Sequence, residues 1–79
     1  MLNVITKMGV FPADATFCVA LATEKVVEMA AGDALASDLW ARVVDEETGY
    51  LHYSLWFENG MLQTWCAETG DTDESILFL

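Results

Sequence analysis

Thirteen Asp and Glu stand against three Lys and Arg in this 79-residue chain, and their placement is uneven. Asp45, Glu46 and Glu47 form one run, and Glu68, Asp71, Asp73 and Glu74 form a second a short way downstream. Carboxylates gathered without counter-ions suit three kinds of chemistry: holding a hard cation, sharing a proton in acid–base catalysis, or meeting a basic protein surface. A calcium loop that began at Asp71-Thr72-Asp73 would need Gly at its sixth position, where this chain has Ile76. Paired carboxylates need a substrate cleft, for which a chain this short offers little room. His52 is the only histidine, and Cys18 and Cys66 are the only cysteines. Cys–His nucleophilic chemistry would have to use His52 in a polar site, so the thiols read instead as small reduced core residues. There is no Gly-rich phosphate loop, nucleophile elbow or metal-ligand spacing of Cys and His. The chain is expected to be neither an enzyme nor a carrier of a cofactor or metal. Two readings are left: a docking surface for a basic partner, or loop charge that serves only solubility.

The formal net charge of −10 excludes direct attraction to nucleic acid or to an anionic membrane, since both need basic patches. Yet 54% of the residues are hydrophobic, with three Trp, four Phe and two Tyr, a composition that argues for a folded core rather than disorder. The length suits one domain, residues 1–79, with a thin core: a domain of this size buries only about 60% of its unfolded surface. No uncharged stretch, residues 15–23 and 48–57 included, approaches the roughly 20 apolar residues of a membrane helix. The opening Met-Leu-Asn-Val-Ile-Thr-Lys lacks the order of a secretory signal, and a cytoplasmic location is expected.

The elements that must position these groups are clearest in the second half. Segments 39–45, 50–58 and 61–66 are rich in aromatic and β-branched residues and are separated by turn signals. Asn59-Gly60 predicts a type I′ turn that pairs Glu58 with Met61, Trp56 with Gln63 and Ser54 with Trp65. Glu46-Glu47-Thr48-Gly49 predicts a turn closed by Gly49 in the left-handed conformation as a bulge. That register puts Val43 opposite Tyr53, Ala41 opposite Leu55 and Leu39 opposite Phe57. One face then carries Leu39, Ala41, Val43, Leu51, Tyr53, Leu55, Phe57, Leu62, Thr64 and Cys66. The unbulged register would bring Arg42 onto this apolar face, and register follows the face that must be buried.

The first half predicts a helix from about residue 14 to residue 31, with Cys18, Val19, Ala22, Val26, Met29 and Ala30 as its apolar stripe and Gly32 as its stop. Pro12 at the first helical position, or Thr23 as N-cap of a shorter helix over 23–36, are alternative starts, and 15–21 as a strand is a further reading. Asp14, Glu24, Glu28, Asp33 and Asp38 surround this segment with only Lys25 to balance them. Segments 2–10 and 75–79 read as terminal strands. The expected architecture is α+β: an antiparallel sheet, with a three-stranded meander over 39–66 and terminal strands, packed against one α-helix.

In such a meander the turn after the first strand and the exit from the third lie at the same end, about 10 Å apart. Asp45, Glu46, Glu47, Glu68, Asp71, Asp73 and Glu74 are therefore expected to converge there as a partner-binding acidic end. The other sheet face is expected to carry Trp40, Arg42, Val44, Tyr50, His52, Ser54, Trp56, Glu58, Met61, Gln63 and Trp65. Three Trp and a Met exceed what a solvated sheet face needs. Trp40, Trp56, Trp65 and Met61 form a second candidate contact, for a partner protein or a homodimer. Base stacking on these rings would need a basic surround, and Arg42 alone supplies none.

A short, strongly acidic yet apolar chain resembles phage-encoded inhibitors, in particular anti-CRISPR proteins that mimic nucleic acid. The resemblance spans the whole chain in size and charge, and Asp45-Glu46-Glu47 with Asp71-Thr72-Asp73-Glu74 is its strongest local support. It implies a protein inhibitor that occupies the basic channel of a CRISPR effector, where DNA would otherwise lie. Antitoxins and immunity proteins are similar by the same criteria, and would use the Trp-rich face as an interaction module.

Overall fold

A computed structural model describes residues 1–32 and 34–75. Strand β1 (Leu2–Thr6) turns into β2 (Gly9–Ala13), helix α1 (Cys18–Ala31) follows, and a short 3-10 turn (Ala36–Asp38) leads into β3 (Trp40–Asp45). The chain then runs through β4 (Leu51–Glu58), β5 (Met61–Cys66) and β6 (Thr72–Ser75). All six strands form one sheet in the order β2-β1-β3-β4-β5-β6, with every neighbouring pair antiparallel. The fold is α+β, with α1 against one face of the sheet.

The single strand expected over 2–10 is a hairpin instead. Thr6 pairs with Gly9 across a Lys7-Met8 turn. The Thr6 hydroxyl accepts the Met8 N–H at 3.0 Å and donates to the Gly9 carbonyl at 3.3 Å. Gly9 takes φ +144°, a conformation open to glycine, so the turn is set by Thr6 and Gly9 rather than by an Asn-Gly pair. Pro12 does not open the helix; it lies in edge strand β2, where a missing N–H leaves no ladder bond unmade.

The helix begins at Cys18, four residues later than the spacing predicts, because Asp14 holds residues 14–17 in a turn of their own. Its carboxylate accepts the Thr16 and Phe17 N–H groups at 2.9 and 3.1 Å. Thr23 is no cap: it sits inside the helix and donates its hydroxyl to the Val19 carbonyl at 3.0 Å. The helix ends at Gly32, as expected. Cys18, Ala22, Val26 and Met29 are its buried stripe, spaced by three and four residues, whereas Val19 faces out and is 40% exposed. The stripe lies mainly over β1 and β3. There it closes a core with Val4, Leu39, Ala41, Val43, Leu55 and Leu62.

The meander holds the expected registers. Trp40 pairs with Trp56, Ala41 with Leu55, Val43 with Tyr53, and Glu58 with Met61. Asn59 and Gly60 take φ +53° and +79°, as a type I′ turn requires, and Gly49 is left-handed at φ +77°. The register step itself does not fall at Gly49. It falls between Val43 and Val44, and leaves one extra residue on β4.

That step inverts the alternation at the start of β4. Leu51, expected on the helix-covered face, pairs with Val44 of the opposite face. His52, expected beside the tryptophans, lines a cavity of about 210 Å³ with Cys18, Val19, Tyr53 and Cys66 on the helix side. Its ring meets that of Tyr50 edge-on at 4.8 Å, which moves Tyr50 off the Trp-bearing face as well. The last strand also differs from expectation. β6 occupies Thr72–Ser75, upstream of the predicted 75–79, and residues 76–79 lie outside the described residues, as does Asp33.

Candidate protein interfaces

Antiparallel topology brings particular turns to each end of the sheet. Register places Leu2, Ala13, Asp45 and the start of β4 at one end, together with the 67–71 connection between β5 and β6. Asp45, Glu46, Glu47, Glu68 and Asp71 therefore share this end, with the two turns about 10 Å apart by strand spacing. Asp73 and Glu74 do not sit among them. Asp73 pairs with Thr64 and Glu74 with Gln63, so both run back along the outer edge of the sheet. At about 3.3 Å per residue, Asp73 is roughly 7 Å and Glu74 roughly 10 Å from Asp71. The cause is β6: the exit from β5 reverses at once and pairs, so its acids are carried along an edge strand.

The structure adds two groups to this end that the sequence pattern missed. Asp14 follows Ala13 directly and is exposed. Met1 lies here too: its carbonyl accepts the Glu46 N–H at 3.3 Å, and its ammonium weakly favours the ionised form of Asp45. Reading residues 2–10 as a hairpin would have found Asp14, since the return strand must end where the first began.

Asp45 organises the turn. Its carboxylate accepts the Glu47 N–H at 2.9 Å and the Thr48 N–H at 3.0 Å, and its own carbonyl accepts the Gly49 N–H at 2.9 Å. The N–H groups of Thr48 and then Glu47 favour the ionised form and hold its pKa below the usual 3.8, with a smaller contribution from the N-terminal ammonium. Glu46 and Glu47 are left free at the tip and exposed.

No Lys or Arg approaches this end. Lys7 belongs to the β1–β2 turn at the opposite end, where its Nζ lies 4.0 Å from Asp38 Oδ1. Lys25 pairs with Glu28 at 3.2 Å along the helix and lies 4.4 Å over the Phe11 ring. Arg42 sits in mid-sheet with its guanidinium 4.9 Å over the Trp40 ring. Among the described residues, the two ion pairs thus leave the acidic end unpaired.

The face away from α1 is the second candidate. Trp40 and Trp56 are direct cross-strand partners, Gln63 and Glu74 continue their row, and Trp65 lies in the row of Ile5, Arg42 and Ser54. Val10, paired with Ile5 and 58% exposed, extends this face onto β2. The three Trp and Met61 are half-buried by one another and their neighbours, while α1 lies on the other side. Trp56 Nε1 donates to Glu58 Oε2 at 3.2 Å, which fixes that ring at the rim. Among the described residues, no helix is long and apolar enough to cross a membrane. Comparison of the chain with protein-family models, with curated proteins and with solved structures found no match.

Proposed function

We propose that the chain is a small protein inhibitor that binds a basic, nucleic-acid-binding surface of a partner through its acidic end and blocks DNA binding there. The observation that supports this most is the set Asp45, Glu46, Glu47, Glu68 and Asp71, joined by Asp14, on turns that no Lys or Arg approaches. A surface that holds DNA is lined with Lys and Arg to meet phosphates. Carboxylates on a sheet end are held by paired strands and occupy those contacts without a nucleic-acid strand. Asp73 and Glu74 continue the acidic surface along β6. A CRISPR effector complex, the partner that the resemblance in size and charge implies, offers such a channel.

The experiment is a competition. Target DNA is bound to a CRISPR effector complex, the protein is titrated in, and retained DNA is read by gel shift at two salt concentrations. Inhibition should weaken steeply as salt rises, because charge contacts between exposed groups are screened. Combined reversal of Glu46, Glu47, Asp71 and Asp73 to Lys should weaken it by about tenfold or more. Capture from a host lysate at low salt, with salt elution, extends the same test to other basic partners. Binding that ignores both salt and the four reversals overturns the proposal.

A further inference from the structure

The face of the sheet away from α1 is nearly free of the charge that dominates the rest of the molecule. Among the described residues, Arg42 is its only cation, and Glu58 and Glu74 are its only carboxylates, both at the rim. Its net charge is thus 1 − 2 = −1, against −10 for the chain. A basic partner drawn by the acidic end gains little here. A second copy meets little repulsion here, because the carboxylates that would repel it lie on turns at the edge of the contact. Six strands at about 4.8 Å make a face about 24 Å wide, and strands of about six residues make it about 20 Å long. That gives roughly 500 Å² per copy, so two such faces bury about 1,000 Å², the lower bound for a specific interface.

We infer that the chain forms a face-to-face homodimer through this surface, with Trp40, Trp56 and Trp65 at its centre and Val10, Ile5 and Val44 beside them. The acidic ends then stay exposed, two per dimer. Two molecules of charge −10 repel at long range, so self-association strengthens as salt rises. This is the opposite sign from binding to a basic partner, so failure of one reading is distinguishable from failure of the other.

Sedimentation equilibrium up to about 300 µM, in about 0.05 M and about 0.5 M NaCl, tests the inference. A monomer–dimer equilibrium that tightens with salt is expected. Trp56→Glu should weaken it by at least about tenfold. Ser54→Glu is the second variant: it sets a carboxylate at the centre of the contact across from Arg42, and in a protein shown to be folded it should weaken the dimer similarly. Phe17→Ser removes a ring that is 63% exposed beside the start of α1 and should leave association unchanged. A monomer at the highest concentration in high salt overturns the inference. So does association that survives Ser54→Glu in a folded protein, or that is lost in Phe17→Ser.

Discussion

The two faces of the sheet are built from the same strands, alternating except at the register step at the start of β4, yet they carry different kinds of information. On the helix side, Val4, Ala41, Val43 and Leu55 are fully buried, and α1 supplies Ala22 and Val26 to meet them. Small residues at the contact let the helix axis approach, and branched ones fill the space between. On the other side the residues are larger, and the three Trp are only partly withdrawn from water. The first face holds the molecule together. The second carries three Trp that stay half-exposed on the side away from α1.

Substitutions should separate the two faces most sharply. Leu55→Ala removes a fully buried side chain and should destabilise the fold by about 2–5 kcal/mol. That is a large share of the ~4–12 kcal/mol expected of a domain this size. Trp56→Ala, one residue along and on the other face, should destabilise the monomer by less than Leu55→Ala, since its ring already keeps one side in water. Urea unfolding at low protein concentration and low salt, where the monomer prevails, measures both. A larger loss from Trp56→Ala would mean that the second face is itself structural.

A smaller effect should appear in alkali. Burial on the helix side pushes the Tyr53 hydroxyl above its ordinary pKa of 10, with the Thr64 hydroxyl partly opposing. A group that is harder to ionise in the folded protein lends stability below its unfolded pKa and loses it as pH rises past about 10. Tyr53→Phe should flatten that decline in thermal melts. If the decline is unchanged, another group is responsible.

The smallest effect belongs to the acidic turn. Asp45 has a lowered folded pKa, so its contribution is present above about 4 and is lost as pH falls through the lower folded value. Carbon-detected titration should show Asp45 ionising below 3.8, and Asp45→Asn should remove the matching acid-side loss of order in Glu47 and Thr48. An Asp45 that titrates at or above 3.8 would mean that the turn is not held by its carboxylate.

How much could be read in advance follows how local the cause was. Asn59-Gly60 dictates a two-residue turn, and the pairs from Glu58–Met61 to Ser54–Trp65 follow from it by counting. The bulged register was legible too, because the alternative would bury Arg42. The position of the extra residue was not, since any residue from Gly49 to His52 preserves the same apolar face higher up the strand. The choice moved Tyr50 and His52 to the helix side and Leu51 away from it. The late start of α1 was hidden for a related reason. Asp14 suits both a helix start and a turn, and its carboxylate went to Thr16 and Phe17.

The amino-acid sequence alone determined the class of the fold, the meander and its registers, and the separation of an apolar face from a Trp-bearing one. These follow from period-two alternation and from turn residues, which act within a few positions. Only the tertiary structure decided that residues 2–13 fold back as a hairpin and that β6 pairs with β5. Together these put Asp14 and the N-terminal amino group at the acidic end, and moved Asp73 and Glu74 onto an edge. Those outcomes depend on pairing between strands and on which neighbour is free to accept a ladder of hydrogen bonds. No short stretch of the chain carries that information by itself.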